Sequence, residues 1–294
     1  MNMNNYIEEF KKIIEYYSSN ISQNKIKIYI ILIKDYYLKI KNYFFSILKN
    51  FKRSQNFTKE RYERIWNANQ ILQHFDIKSN NFSLHKYKNI FLAHSCLTTK
   101  IQQNLIINKI KELNPSLVLE IGCGPGITLR LLSDIFTEIN FYGIDQSIEG
   151  IKYANNQKKN SIDPIFKEKL NFQFKNITNN PKLKFDTQDA KSLKFTDKTF
   201  DLVFSNLALE QMDNIKYDVL SEMKRVAKKY IIMIEPFKDL NKTGLRYLHH
   251  TSKQYFNLNH MDIKDDNFEI IEFYDQLPAL LSLNYGMLIL KRKK

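Results

Sequence analysis

A short glycine-rich run constrains the fold of this chain more than any other part of its 294 residues. Three of the seven glycines, Gly122, Gly124 and Gly126, lie within five residues, after the apolar stretch 117–119 and before the helical pattern 127–132. This order predicts a strand, a tight turn and the start of a helix. Glycines allow positive φ and let a ligand approach the main chain, because no Cβ stands in the way. The run therefore predicts a cofactor-binding turn.

The residues around the glycines favour one class of cofactor. A dinucleotide-binding turn has glycines at the first, third and sixth positions, whereas here they occupy the first, third and fifth. Glu120, two residues before the first glycine, would repel a pyrophosphate but attract the ammonium group of an amino acid. A dinucleotide site and a turn without a ligand are the alternatives.

Two further acids follow at informative positions. Asp145 ends the next apolar run, nineteen residues after Gly126. An acid at about this distance binds a ribose hydroxyl in nucleotide-binding α/β folds, although capping the helix that begins near Ser147 is its alternative role. Asp189 lies in a polar segment before the apolar run 200–204, and by itself it would be a turn residue.

Taken in order, these features resemble the motifs of the class I S-adenosylmethionine-dependent methyltransferases. The resemblance implies an enzyme that uses S-adenosyl-L-methionine and releases S-adenosyl-L-homocysteine. It implies that Glu120 faces the methionine end of the cofactor, Asp145 the ribose and Asp189 the adenine amino group. The cofactor-binding residues implied are Glu120, Gly122, Cys123, Gly124, Gly126, Asp145, Gln146, Gln188, Asp189, Ala190, Ser205 and Asn206. Capping the following helix is the alternative role of Ser205 and Asn206.

The same resemblance covers residues 114–294 and implies a fold for them. Further strand patterns occur at 141–144, 200–206, 230–234, 268–273 and 285–290. Their alternation with helical patterns predicts an α/β fold with a mostly parallel sheet and helices on both faces. The resemblance implies that this sheet is Rossmann-like and seven-stranded, with the last strand antiparallel. We therefore predict a methyltransferase domain over residues 111–294.

The first 110 residues differ from the rest in composition. No glycine or proline precedes Pro115, which predicts an all-α N-terminal extension over residues 1–110. This extension carries 18 Lys and Arg against 7 Asp and Glu, whereas residues 111–294 carry 27 against 24. Nearly all of the net charge of +14 therefore belongs to the extension.

One segment of the extension has an apolar seam at helical spacing. Its members recur at alternating intervals of three and four: Ile30, Ile33, Tyr37, Ile40, Phe44, Ile47 and Phe51. Packing on another helix or on the catalytic domain is the simplest interpretation. Peripheral contact with an anionic membrane and self-association, both through residues 25–52, are alternatives. Nucleic-acid binding is disfavoured, because the extension has no recognisable RNA-binding module.

Other features bound the location and the chemistry. Residues 1–12 lack a secretory signal pattern, and the apolar run 26–33 is too short to span a bilayer. Two cysteines, Cys96 and Cys123, favour a reducing cytoplasm, with a peripheral site at the inner membrane face if the seam binds lipid. The scattered cysteines and histidines offer no zinc spacing, so no metal is expected.

The sequence indicates the methyl acceptor less clearly than it indicates the cofactor. Residues 222–226 resemble a run frequent in enzymes that methylate small molecules or biosynthetic intermediates. Leu207 and Ala208 occupy the places of the two prolines in a tetrad typical of N-methylating enzymes, which favours oxygen. A hydroxyl acceptor benefits from a general base, and His249 and His250 are the candidates. The alternatives are an RNA methyltransferase with basic N-terminal helices and a cofactor-binding scaffold without turnover.

Overall fold

A computed structural model describes residues 3–18, 25–50, 52–66, 81–156, 165–174 and 181–293. The strands are β1 (Phe82–Tyr87), β2 (Asn89–His94), β3 (Leu117–Ile121), β4 (Asn140–Asp145), β5 (Leu183–Thr187), β6 (Phe200–Asn206), β7 (Ala227–Glu235), β8 (Phe268–Tyr274), β9 (Ala279–Leu280) and β10 (Gly286–Arg292). Seven of them form one sheet in the order β5-β4-β3-β6-β7-β10-β8. Among these described strands, β10 alone runs in the direction opposite to the other six. The predicted Rossmann-like sheet is confirmed.

Helices cover both faces of this sheet. They are α1 (Met3–Ser18), α2 (Lys25–Leu48), α3 (Gln55–Ile65), α4 (Leu97–Leu113), α5 (Ile127–Ile135), α6 (Ile148–Asn156), α7 (Lys216–Val226) and α8 (Gly244–Lys253). Within the described residues, no helix combines the length and the apolar character that crossing a bilayer requires.

The apolar strands are buried on both faces because successive side chains point to opposite sides of the sheet. Val118 and Phe204 belong to the buried cluster that also contains α1, α4 and α5 residues. Leu119 and Val203, their direct neighbours, belong to the second cluster, which contains Met223 of α7. Two packed layers therefore hold the carboxyl ends of the strands at fixed relative positions.

The prediction of an all-α extension is wrong for residues 82–94. There β1 and β2 form an antiparallel hairpin, and β1 also pairs with β9 from the far end of the chain. Lys88 takes φ +60° at the turn, a conformation that costs a non-glycine residue about 1–2 kcal/mol. Strand pairing on both edges of β1 offsets this cost. The absence of glycine from this segment therefore does not exclude a hairpin. The proposed domain boundary at residue 110 falls inside α4.

Helix α1 is part of the core. Its residues Tyr6, Phe10, Ile13 and Tyr17, spaced by four, three and four, are all buried. The carboxylate of Glu9 also accepts hydrogen bonds from two amides of α4, at 2.8 and 2.6 Å. The extension is therefore packed into the catalytic domain through this helix.

Helix α2 packs on the rest of the protein with a different face from the one that the packing interpretation predicts. It packs along α8, and the ring centroids of Tyr43 and Tyr247 are 6.1 Å apart. The predicted seam, however, faces away from this contact: Ile33 is 69% and Phe44 59% exposed. The packing interpretation is therefore wrong for the seam. Phe51, its last member, lies outside the described residues.

Candidate functional site

The glycine turn joins two loops at the carboxyl edge of the sheet. The N–H groups of Gly122 and Cys123 donate to the Ile144 carbonyl at 2.8 and 2.9 Å, which fixes the turn against β4. Gly122 has φ +72°, and a Cβ there would stand 2.4 Å from the Cβ of Ala208. Only glycine allows the loops after β3 and β6 to approach this closely.

Glu120, at the end of β3, points into a desolvated part of this edge. Its side chain is buried, and among the described residues Oε2 has no hydrogen-bond partner. Burial, with a smaller contribution from the charge of Asp145, raises the pKa of Glu120 well above its usual range. An orphaned buried carboxyl group is costly, and an ammonium group would satisfy it. The residue therefore fits the amino-acid end of a ligand.

Asp145 ties the glycine turn to the next helix. Its Oδ2 accepts the Gly124 N–H at 2.9 Å, and its Oδ1 accepts the Ser147 N–H at 2.8 Å, just before α6 begins. The capping alternative is thus observed. Each carboxylate oxygen keeps a second lone pair, so the ribose role remains open as a prediction. Burial raises the pKa of Asp145 despite these N–H donors.

Replacing Asp145 by alanine removes both contacts at once. We expect Asp145→Ala to weaken cofactor binding about 10- to 100-fold, because a hydrogen bond to a charged group is worth about 1.5–3 kcal/mol. Isothermal titration calorimetry with S-adenosylmethionine measures this, and Asp201→Asn, at the opposite end of the sheet, serves as the control. Unchanged affinity of Asp145→Ala would move the ribose contact elsewhere.

The predicted adenine segment forms a turn after β5. Gln188 is buried, and its Oε1 accepts the Lys194 N–H at 3.0 Å. Asp189 is exposed, and its carboxylate accepts the Lys191 N–H at 3.0 Å, the turn role that its residue type allows. Ala190 is buried in the core beside them. The adenine contact of Asp189 stays a prediction.

The remaining predicted cofactor residues also lie at or beside the carboxyl ends of the strands. Cys123 is buried, and burial raises the pKa of its thiol well above its usual range, so the side chain is neutral and acts as an apolar wall. Gln146 lies partly exposed between β4 and α6. Ser205 is buried in β6, and Asn206 ends that strand with no partner for Oδ1 among the described residues. The structure thus gathers these positions along one edge.

Comparison with known proteins identifies this arrangement. Residues 119–233 match a family model described as a methyltransferase domain. Residues 119–233 therefore form a methyltransferase domain, and the sheet that holds it has the Rossmann-like fold of S-adenosylmethionine-dependent methyltransferases. No curated protein matches its sequence.

Solved structures share the fold of this methyltransferase. Magnesium protoporphyrin IX methyltransferase from Synechocystis PCC 6803, with bound S-adenosylmethionine, is 14% identical at a TM-score of 0.50, over 80% of this chain and 97% of that one. The [4+2]-cyclase SpnF is 15% identical at a TM-score of 0.52, over 81% and 96%. These likenesses concern the fold, and the family's cofactor is S-adenosylmethionine.

A second carboxylate organises the loop after β6 of the methyltransferase. Glu235, at the end of β7, is buried and accepts the N–H groups of Ala208, Leu209 and Glu210 at 3.2, 3.1 and 3.0 Å. Burial raises the pKa of Glu235 to about 8, although these donors act in the opposite direction. The sequence analysis missed this residue; its position directly after a long apolar strand is the signal that marks it.

Glu210 is the most informative residue that the sequence analysis missed. It is buried, Gln211 Nε2 donates to its Oε1, and Oε2 has no partner in the described part of the chain. Burial raises the pKa of Glu210 to about 7. Its charge contributes to the raised pKa values of Tyr62, in α3, and of Tyr255, which follows α8. No sequence signal distinguishes it from a surface acid.

The two predicted catalytic histidines occupy different surroundings. Nε2 of His250 lies 3.0 Å from the Pro236 carbonyl oxygen, so that nitrogen is engaged with the backbone. His249 has a buried Nδ1 without a partner among the described residues. Burial, with Lys39 adding to it, lowers the pKa of His249 to about 3, so the ring is a neutral and weak base. A catalytic role of either histidine stays a prediction.

Helix α3 and the residues on either side of it cover this edge. A Cβ on Gly124 would stand 3.2 Å from the Trp66 ring, which therefore packs directly on the glycine turn. The Glu63 carboxylate accepts the N–H groups of Ile148 and Glu149 at 2.8 and 2.9 Å and so caps α6. Arg53 donates to Gln211 in the loop after β6. The extension thus supplies walls of the site, which composition alone could not indicate.

Across the residues that the structure describes, no cluster of three or more His, Cys, Asp or Glu side chains has the arrangement of a metal site.

Proposed function

We propose that this enzyme transfers the methyl group of S-adenosylmethionine to the oxygen of a small molecule or biosynthetic intermediate. The observation that carries the proposal is a pair of buried carboxyl groups that each leave one oxygen without a partner among the described residues: Glu120 near the end of β3 and Glu210 on the loop after β6. One fits an ammonium group of the cofactor. The other fits a hydroxyl group of the acceptor, because a carboxylate can accept the proton that the oxygen loses.

The chain's own residues divide the work between holding and proton transfer. Bound S-adenosylmethionine supplies an electrophilic methyl group on a positively charged sulfur, so positioning lowers most of the barrier, by on the order of 7–11 kcal/mol. Glu120, Asp145 and the glycine turn hold the cofactor. Trp66 and Tyr62 limit the access of water, and Glu210 receives the proton from the acceptor.

Glu210 has the acid–base properties that this role needs better than the histidines do. A general base works best with a pKa near the operating pH, and that of Glu210 is about 7. The pKa of His249 is lowered to about 3, which leaves little driving force for proton acceptance. His249 and His250 therefore contribute to the wall of the acceptor pocket in this proposal, and a base role for them is the alternative.

The substitution Glu210→Gln tests this assignment. We expect kcat/KM to fall about 100- to 1,000-fold, within the range of general-base contributions, while calorimetric affinity for the cofactor is retained. Because the carboxylate must be ionised, activity of the unaltered enzyme should rise with pH up to about 7 and then level. The variant should lose this rise. Glu269→Gln, at an exposed glutamate of β8, is the matched control.

The acceptor class needs a separate experiment. Incubation with S-adenosylmethionine labelled in the methyl group and a cell extract, followed by fractionation, should place the label in small molecules. Resistance of the label to mild base then distinguishes an ether from an ester. Label in RNA would support the RNA methyltransferase alternative. Cofactor binding with no labelled product in any fraction would support a scaffold, or another reaction on this fold.

A further inference from the structure

Helix α2 has an exposed apolar face that the proposed methyl transfer does not use. Its side chains are 41–69% exposed along six positions at alternating intervals of three and four: Ile30, Ile33, Tyr37, Ile40, Phe44 and Ile47. Soluble monomers rarely expose such a continuous apolar strip, and one of this size marks an interaction surface. We call these six residues the α2 stripe.

Lysines lie along one edge of the α2 stripe. Lys34 is exposed and stands four residues after Ile30 and three before Tyr37. Lys41 is exposed and stands four residues after Tyr37 and three before Phe44. Residues three and four apart are neighbours on a helix surface, so these two ammonium groups border the stripe directly. The exposed face of the helix therefore combines apolar rings and chains with positive charge.

Negative charge is confined to the opposite face of the helix. Asp35 is the only acid among the 24 residues of α2, and its carboxylate lies 3.8 Å from Lys39 on the side that packs against α8. A second copy of the stripe would bring further lysines against Lys34 and Lys41, with no acid on that face to pair with them. Charge complementarity thus favours an anionic partner over self-association.

We propose that α2 adsorbs to the surface of an anionic lipid bilayer. The stripe would enter the boundary between headgroups and acyl chains, and Lys34 and Lys41 would contact the anionic headgroups. No helix of the described residues is suited to cross the bilayer, so the contact is peripheral. The proposal is independent of the identity of the methyl acceptor, because it rests on a surface outside the cofactor site.

Vesicle flotation with the full-length protein tests the proposal. We expect the protein to float with vesicles of phosphatidylcholine and phosphatidylglycerol, and at least tenfold less with phosphatidylcholine alone, because attraction to the headgroups depends on their charge. High salt should weaken the binding. Failure to float with the anionic vesicles would overturn the proposal, as would equal binding to both vesicle types.

Two variants separate the charge from the apolar contact. Lys34→Glu/Lys41→Glu should reduce the partition coefficient about tenfold or more, whereas Lys167→Glu/Lys228→Glu, the same charge change at exposed sites elsewhere, should reduce it less. Ile33→Ser/Phe44→Ser should abolish flotation, and Ile271→Ser, at a partly exposed isoleucine of β8, should not. Unchanged flotation of either α2 variant would contradict the proposal.

Two further measurements distinguish the other occupants of the stripe. Sedimentation at micromolar protein should show a monomer; a dimer that Ile33→Ser/Phe44→Ser dissociates would assign the stripe to a second copy instead. Binding of single-stranded or duplex RNA that Lys34→Glu/Lys41→Glu removes, without flotation, would assign it to nucleic acid. Retained calorimetric affinity for S-adenosylmethionine in every variant shows that the site is intact.

Discussion

Gly124→Val is expected to abolish S-adenosylmethionine binding, with an affinity loss of at least 100-fold, while the protein stays folded. Gly124 has φ +51°, and a Cβ there would stand 3.2 Å from the Trp66 ring that packs on the turn. A branched side chain would displace that ring and stand against the main-chain groups that are predicted to contact the cofactor. Titration calorimetry measures the affinity, and circular dichroism measures the retained helix content.

Gly244→Val is the matched control for backbone strain. Gly244 has φ +61°, yet a Cβ there would meet no heavy atom within 4 Å. Both substitutions therefore force a side chain into the left-handed region, at a cost of about 1–2 kcal/mol in the free energy of unfolding. Only Gly124→Val should lose cofactor affinity. Equal losses in both variants would mean that general strain is responsible and that the turn assignment is wrong.

Glu120→Gln is expected to weaken cofactor binding about 100-fold. Truncating one partner of a buried charge pair costs about 2–5 kcal/mol, and the neutral amide cannot neutralise an ammonium group. Glu210→Gln, at the other buried carboxyl group without a partner for one oxygen, is the control and should keep its affinity. Full affinity of Glu120→Gln would separate this carboxyl group from the methionine end of the cofactor.

The raised pKa of Glu120 gives this prediction a second measurement. In the free protein the raised pKa keeps this carboxyl group protonated at pH values above 4.5, its ordinary pKa. An ammonium ligand, which pairs with the ionised carboxylate, must therefore displace a proton. Affinity should therefore increase with pH, and titrations in buffers of different ionisation enthalpy should report proton release. Glu120→Gln should lose both effects. A ligand that binds without releasing a proton would argue against the contact.

The raised pKa of Glu120 also affects folding stability, but stability should decrease with pH whereas cofactor affinity should increase. The folded protein keeps the Glu120 proton at pH values where the unfolded chain has lost it, so the folded state binds more protons. Its contribution to the free energy of unfolding consequently decreases as the pH rises above about 4.5. Glu120→Gln should remove that part of the decrease in thermal unfolding experiments on the cofactor-free protein.

The sequence alone determined the sheet and the edge at which the predicted cofactor residues meet. Local signals sufficed there: glycines at a turn that needs positive φ, acids directly after apolar runs, and strands whose uninterrupted apolar character follows from burial on both faces. Glu120, Gly124 and Asp145 could be found in this way, because the carboxyl ends of neighbouring parallel strands meet at one edge.

Only the tertiary structure decided the partners of the extension and the burial of Glu210. Residues 82–94 look helical by composition, yet β1 and β2 form a hairpin there, and β9, almost two hundred residues later, pairs with the other edge of β1. In the sequence Glu210 looks like an ordinary polar loop residue. In the folded chain, segments distant in sequence bury it and raise its pKa to about 7. The α2 stripe has helical spacing in the sequence, but that spacing cannot say which face packs. Burial and pairing depend on contacts between residues far apart in the chain, and these arise only when the chain has folded.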